Sequence, residues 1–292
     1  MVHVNHAFLL DFARRTRPGG KFLDYGCGAA ETVRAGLDMG LDIFGTDAFY
    51  EGQSDHRPAL ARDGLLNTRV FELSSDFKMP FPDKSFDFVF SNQVMEHVEH
   101  LDGLLRELTR VLKDDGVILS YFPLQNCVME YHCEVPFAHW FSHDSKLGYY
   151  WLLAAFKMGR GSNHKDKSAE QWAHDFQDWI HKWCYYRTRS QVAKEFAQGD
   201  LTFEPHELDY VEYRLKHHGK GWASPFFALS PALTTFLFTH FGGGVVATSQ
   251  KLLRRERVAQ TAPVPLPAVE EAMAASVSGS SAMSAIPAAD PR

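Results

Sequence analysis

The chain has 292 residues, 45% of them hydrophobic and 23% charged, enough for one sizeable globular domain with an elaboration or two small ones. A formal net charge of −6 offers no bulk attraction to phosphate backbones and argues against a nucleic-acid substrate. The four cysteines, at 27, 127, 133 and 184, form no C-x-x-C pair and no evident disulfide framework, as expected in a reducing compartment.

The N-terminal MVHVNHAFLLDFARR lacks the basic-then-apolar order of a signal peptide, so a cytoplasmic location is expected. Phe8, Leu9 and Phe12 recur there at helical spacing. From this point to residue 123 strand and helix patterns alternate, which implies an α/β fold with a parallel sheet covered by helices. Strands are expected at 21–25, 41–46, 69–73, 86–91 and 117–122. The last two are apolar and partly β-branched, as buried strands are. Between them Leu101, Leu104, Leu105, Leu108 and Leu112 make the stripe of a helix packed on a sheet, with Asp115-Gly116 as its stop signal.

The first strand carries the strongest local signal. Lys21 to Glu31, KFLDYGCGAAE, is a short apolar strand that delivers Asp24 into a glycine turn, Gly26-Cys27-Gly28, with a helix pattern from Ala29. Such a turn collects backbone N–H groups and a helix N-terminus at one crevice. A dinucleotide fingerprint needs a small residue at its sixth position, where this chain has Glu31, and an anion such as Asp24 would repel a pyrophosphate. A carboxylate there suits a ligand carrying a cation. Asp47, closing the second strand, can accept both hydroxyls of an unphosphorylated ribose. A cationic amino group at one end and a ribose at the other describe S-adenosylmethionine better than NAD.

On these residues the chain resembles the class I S-adenosylmethionine-dependent methyltransferases, in the small-molecule branch typified by ubiquinone-biosynthesis enzymes. Leu23-Asp24-Tyr25-Gly26-Cys27-Gly28 is similar to the family's LDxGCG loop, and Asp47 falls where its ribose-binding acid falls. Met79 to Asp87, MPFPDKSFD, is similar to LPFxDxSFD; SNQVMEHV from Ser91 to Val98 is similar to SxxVLEHV; and RVLKDDG from Arg110 is similar to RVLKPGG. The match runs over roughly residues 10 to 123. It departs at Ala30, where a third glycine is usual, and at Asp114-Asp115, which replace Pro-Gly. The resemblance implies a Rossmann-like sheet ending in a C-terminal antiparallel hairpin, with helices on both faces and S-adenosyl-L-methionine as cofactor. It implies that Asp24, Gly26 and Gly28 hold the methionine end, Asp47 the ribose, Asp76 or Phe77 the adenine, and Ser91 and Asn92 the methionine side.

Four segments are expected: a cofactor-binding core at 1–123, an aromatic-rich helical insertion at 124–185, the rest of the methyltransferase core at 186–254, and a disordered Pro/Ala/Ser-rich tail at 255–292. The insertion follows the fifth strand, at the rim where open α/β sheets bind ligands, and reads as a lid or acceptor pocket. In the third segment 190–197 reads as a helix, 201–215 as a strand and 245–248 as a final strand; the resemblance predicts that these two strands form the hairpin. Between them 225–241, PFFALSPALTTFLFTHF, is too short and too interrupted by Pro231 for a membrane span. A buried helix is the expectation, with peripheral membrane contact or a dimer contact as the alternative.

Methyl transfer to a hydroxyl is helped by a base near the strand ends. His97, the histidine of the EHV match, is one candidate, against a role tying the loop to a backbone carbonyl. His139 is the second, within the cluster Glu130, His132, Cys133, Glu134, His139 and His143. Pro136 to Phe141 is similar to a PFxHW element of methyltransferases in polysaccharide and cell-surface glycan pathways, and an aromatic pair flanking a histidine suits a ring acceptor. No HExxH or paired-cysteine spacing is present, so no metal is expected. Cys27 reads as a packed residue, and Trp172, Trp179 and Trp183 as one helical face. The expected activity is methylation of a small hydroxylated acceptor, a sugar or glycan-linked group. Alternatives are a lipid, quinone or polyketide at a membrane surface, or a binding protein of the same fold without turnover. A nucleic-acid amino-methyltransferase is disfavoured because Ser91-Asn92-Gln93-Val94 stands where an Asn/Asp-Pro-Pro-aromatic motif would.

Overall fold

The computed structural model describes residues 3–50, 54–74, 78–164 and 167–252. Asp76, Phe77 and the segment expected as a disordered tail lie outside the described residues. The elements run α1 (Val4–Thr16), β1 (Lys21–Tyr25), α2 (Glu31–Asp38), β2 (Asp42–Asp47), α3 (Arg57–Arg62), β3 (Val70–Glu72), β4 (Phe86–Asn92), α4 (Leu101–Val111) and β5 (Leu112–Phe122). They continue with β6 (Met129–Glu130), β7 (Val135–Pro136), α5 (Lys146–Lys157), α6 (Ala169–Trp183), α7 (Arg189–Gln198), β8 (Glu204–Pro205), α8 (Glu207–His217), α9 (Ser224–Ala228), α10 (Pro231–Leu237) and β9 (Val245–Ser249).

The seven-stranded sheet has the order β3-β2-β1-β4-β5-β9-β8. Strands β1 to β5 pair in parallel, and β9 pairs antiparallel with both β5 and β8. This is the Rossmann-like sheet with a C-terminal antiparallel pair. The parallel strands read as nearly continuous apolar runs because both faces are covered. Alternation along β1 sends Leu23 to one face, with Val89, Ile118, the leucines of α4, and Val192 and Phe196 of α7. It sends Phe22 to the other face, with Phe88, Phe90, Phe8 and Leu9 of α1, Val33 of α2 and Tyr210 of α8.

Two local expectations are corrected. Asp115-Gly116 does not end α4 in a simple turn. Residues 113–116 bulge within β5, since Phe86 faces Leu112 while Phe88 already faces Val117. Residues 201–215 are not one strand: Leu201 makes an isolated bridge to Lys251, β8 is two residues long, and α8 takes the rest. Helix wins there because Glu207 and Asp209 sit in its first turn and Arg214, Lys216 and His217 in its last, complementing the helix dipole. Glu207, buried, accepts from Arg189 and from the backbone N–H of Val246 at 3.4 Å, which ties α8 to α7 and β9.

The insertion packs around a core of its own, with Trp172 fully buried among Cys133, Val135, Leu152, Ala155 and Ile180. Helices α5 and α6 form it, capped by Ser145 and Ser168. The stretch 225–241 departs from expectation. Pro231 restarts the helix at its first turn, so α9 and α10 are short, and only one side of each can face the body. Phe238 is buried against Tyr121 and Tyr210, whereas Phe226, Leu229, Leu233, Phe236 and Phe241 are exposed.

The chain enters β9 through Gly243 and Gly244, the latter at φ +114°, where a Cβ would overlap the Phe122 carbonyl oxygen and lie 2.6 Å from the Pro123 Cα. Because the obstructing atoms are backbone, Gly244→Ala is expected to cost about 3 kcal/mol or more of unfolding free energy. Equilibrium denaturation checks this; an unchanged midpoint would show that the β5–β9 junction relaxes freely.

Candidate active site

The glycine turn is fastened to β2. Backbone N–H groups of Gly26 and Cys27 both donate to the Thr46 carbonyl, at 2.8 and 3.0 Å. Gly26 has φ +75°, and any Cβ there would collide with the Val94 side chain, so glycine is required. Gly28, at φ +48°, has nothing within 4 Å of where a Cβ would stand, leaving open space beside the turn. Ala30, in the place of the family's third glycine, also takes a left-handed conformation, φ 61°, and begins α2 without a side-chain cap.

Two carboxylates flank this turn. Asp47 accepts from Gly28 N at 2.7 Å and Phe49 N at 2.8 Å, and these bonds fix its orientation. Asp24 is only 3% exposed. Burial pushes its pKa up to about 7, the Thr32 hydrogen bond opposes the rise, and the Asp47 charge adds to it. Asp24 makes no ion pair among the described residues. Cys27 is buried, and burial raises its thiol well above the usual range, in keeping with packing rather than nucleophilic work. At the end of β4, next to β1, Ser91 Oγ and Asn92 Oδ1 are buried without a hydrogen-bond partner among the described residues. A buried acid lacking a cation, orphaned oxygens beside it and an open cradle fit a ligand that brings both a positive charge and N–H donors. Dinucleotide pyrophosphate would bring the wrong sign.

A cavity of about 710 Å³ opens beside this crevice, lined by Tyr25, Ala48 and Tyr50 from the core, Lys78 and Leu104, and Trp183 from α6. His97 lines it too. Its Nδ1 is 2.7 Å from the Trp183 carbonyl and must donate, so the lone pair is on Nε2. Burial pulls the pKa of His97 down to about 4. The structural reading, a histidine tying the loop to a carbonyl, therefore describes one of its nitrogens. His139 is also buried: Nε2 lies 3.2 Å from the Gln125 carbonyl, Nδ1 has no partner among the described residues, and the ring packs on Tyr186 at 4.6 Å. The two histidines are not in ring contact with each other.

What joins them is a group the sequence offered only as ligand types. Glu130, fully buried, accepts from His132 Nδ1 at 2.6 Å, from the Tyr186 hydroxyl at 2.5 Å and from Cys133 N at 2.7 Å. Burial by itself would raise its pKa, but these bonds and the His132 charge outweigh it and hold Glu130 at about 2. Conversely, burial would lower the His132 pKa, and the Glu130 hydrogen bond and charge raise it above the ordinary value. With Nδ1–H given to Glu130, His132 Nε2 is the basic nitrogen. Its ring lies 5.0 Å from His97 and 4.8 Å from Trp179. The available signal was the short spacing Glu130-x-His132; Glu130 ends β6 and His132 follows in the turn that Cys133 N closes onto the carboxylate.

Glu96 completes the cluster from the core side. Both its oxygens are buried without a hydrogen-bond partner among the described residues, the nearer lying 4.0 Å from His97 Nε2, and burial pushes its pKa up to about 7. His97, His132 and Cys184 offer ligand-type atoms within 4.8 Å of one another. In both histidines Nδ1 faces an acceptor, Trp183 O for His97 and Glu130 for His132, which leaves each Nε2 as the nitrogen with a lone pair.

Comparison with known proteins bears on residues 23–120, which match a family described as a methyltransferase domain. The sterol 24-C-methyltransferase ERG6B of Gibberella zeae is 33% identical over 112 residues, covering 36% of this chain and 28% of that protein. The sterol 24-C-methyltransferase erg6 of Schizosaccharomyces pombe is 30% identical over 120 residues, covering 40% and 32%. An uncharacterized methyltransferase of Bacillus subtilis, YcgJ, is 32% identical over 99 residues, covering 34% and 39%. The matched region thus spans well under half the length of each. Among solved structures, an S-adenosylmethionine dependent methyltransferase from Mesorhizobium loti aligns over 85% of this chain and 100% of its own, at 16% identity and a TM-score of 0.49. Residues 23–120, which hold the glycine turn and both flanking acids, thus match the methyltransferase-domain family.

Proposed function

We propose that this chain transfers a methyl group from S-adenosylmethionine to the hydroxyl of a small ring-bearing acceptor, of the sugar or glycan-linked class. The observation that carries the methyl-transfer reading is the pair of carboxylates, Asp24 and Asp47, set around a glycine turn, with no ion pair to Asp24 among the described residues. When bound, the cofactor supplies a methyl carbon already activated by its sulfonium. Asp24, Gly26, Gly28, Ser91 and Asn92 hold its amino-acid end, and Asp47 orients its ribose.

The remaining work belongs to the chain. Tyr50, His97, Trp179 and Trp183 form an aromatic wall between the cofactor crevice and the insertion, suited to aligning a ring. Alignment alone removes several kcal/mol of such a barrier. His132 takes the acceptor proton at Nε2, and Glu130 holds its tautomer and stabilises the resulting charge. Tyr186 and, behind it, His139 fix Glu130. His97, neutral and tied to the Trp183 carbonyl, shapes the wall beside the base.

A second reading, a lipid, quinone or polyketide acceptor, draws support from the exposed apolar residues of 226–241 and from the sterol methyltransferases among the relatives. Labelled-methyl transfer to extract fractions, with identification of the product, separates a water-soluble acceptor from a lipid one.

Asp47→Ala is expected to weaken binding of the cofactor by at least tenfold in calorimetric titration, since it removes hydrogen bonds to a charged group worth about 1.5–3 kcal/mol. Tight NADH binding with no heat from the cofactor or its demethylated product would overturn the assignment. His132→Gln is expected to lower kcat by about 10²-fold or more while cofactor affinity stays nearly constant. A loss confined to His97→Gln or His139→Gln would place the base there instead. Glu130→Gln removes the charge that raises the His132 pKa, so the limb along which kcat rises as His132 loses its proton should move to lower pH. A limb that stays in place would mean that His132 is not the titrating base.

A further inference from the structure

The segment from Tyr213 to Gly244 contains no aspartate or glutamate, although the whole chain carries a net charge of −6. It supplies Arg214, Lys216, His217, His218 and Lys220, all exposed at or just beyond the end of α8. Arg214 and Lys220 make no ion pair among the described residues, and Lys216 makes only a 3.6 Å pair within its own helix. Next to these cations stand the exposed apolar side chains: Trp222 at 74%, Phe226 at 66%, Leu229 at 82% and Phe241 at 63% exposure. Leu233 and Phe236 are more than half exposed as well. Single exposed hydrophobics are ordinary, but this many in one stretch of 20 residues, 222–241, is a surface made for contact.

Its form narrows the partner. Helices α9 and α10 have five and seven residues, and no helix among the described residues is long and apolar enough to cross a membrane. Short helices with Trp, Phe and Leu outward and lysine and arginine alongside suit the boundary between lipid headgroups and acyl chains. The same segment contains a cleft of about 420 Å³ whose walls include Leu215, Phe227, Leu237 and Phe241 and whose rim carries Arg214 and Lys220. An apolar groove with cations at its mouth complements an acyl chain below an anionic headgroup. A second copy of the chain would bring the same cations against these, which charge repulsion disfavours.

We propose that residues 213–244 dock this protein on an anionic phospholipid surface, with the outward side chains of α9 and α10 entering the headgroup region and Arg214 and Lys220 pairing with lipid phosphate. The docking is independent of the methyl-transfer reading and can be measured without cofactor or acceptor.

The test is co-sedimentation of the full chain with vesicles of phosphatidylcholine alone and of phosphatidylcholine mixed with phosphatidylglycerol. Binding is expected to the mixed vesicles, to weaken as salt is added, and to be accompanied by quenching of Trp222 by brominated acyl chains, judged against Trp222→Phe. Phe226→Ser with Leu229→Ser should reduce partitioning at least tenfold, and Arg214→Gln with Lys220→Gln by roughly tenfold on mixed vesicles only. Both double variants replace exposed side chains, and circular dichroism spectra and thermal unfolding midpoints that match the parent's would show that they remain folded. No binding to mixed vesicles, or equal and salt-independent binding to both kinds, would overturn the proposal. So would a concentration-dependent dimer, seen by light scattering, that is abolished by Phe226→Ser with Leu229→Ser while vesicle binding is absent.

Discussion

Two carboxylates kept nearly out of water, at the ends of adjacent parallel strands, are the constraint on which the rest of this structure depends. Asp24 and Asp47 are 3% and 5% exposed, and burial first and the Asp47 charge second raise the cost of ionising Asp24. Among the described residues the fold meets them with neutral donors rather than with cations. Asp47 takes N–H groups from Gly28 and Phe49, and Asp24 is bonded by Thr32. These bonds require the turn to bend back onto β2, and only glycine at position 26 lets Val94 pass so close. An arrangement tuned for one carboxylate's stability would have placed a lysine or arginine here. Among the described residues none pairs with Asp24, which is the basis for proposing a ligand with its own positive charge.

The insertion solves a different problem. Under the proposed mechanism a base must stand near the crevice, yet the strand ends are crowded by the glycine turn. Residues 124–185 build a small separate core and use it to present Glu130 and His132 to the edge of the crevice, where His97 and Tyr50 complete the wall. The Glu130 carboxylate survives burial because three donors surround it, and its charge in turn sets the basicity of His132. Within the cluster, burial and partner charge push neighbouring groups in opposite directions. His97 is driven down and His132 up, so the two imidazoles differ in basicity although their rings touch.

The C-terminal part shows the same division between what supports the sheet and what faces outward. Phe238 and Tyr210 close the core under β5, while the residues between Trp222 and Phe241 turn their larger apolar side chains to solvent. Proline at 231 and the run of glycines at 242–244 keep this stretch from folding into one long buried helix. The surface it leaves lies in the acid-free portion of an acidic chain, which gives the contact a sign as well as a hydrophobic face.

The sheet, its order of elements and the cofactor loop were legible in the sequence because they rest on local signals: apolar runs bounded by turns, a leucine stripe at helical spacing, and an acid leading into glycines. The bulge at 113–116 and the helix at 207–217 were not, since strand register and the burial of Tyr210 are decided by partners far along the chain. That Asp24, Gly26, Gly28 and Asp47 would meet at one turn could be read from their positions, and the structure brings them together there. The pairing of Glu130 with His132, its support by Tyr186 and the proximity of both to His97 depend on residues 130 and 186 meeting in space, which no spacing rule encodes. Likewise composition made 225–241 apolar, but whether those side chains are buried is set by how much core surface remains to cover them. Local sequence chose the chain's own conformation; only tertiary packing decided which charged and apolar groups would face one another.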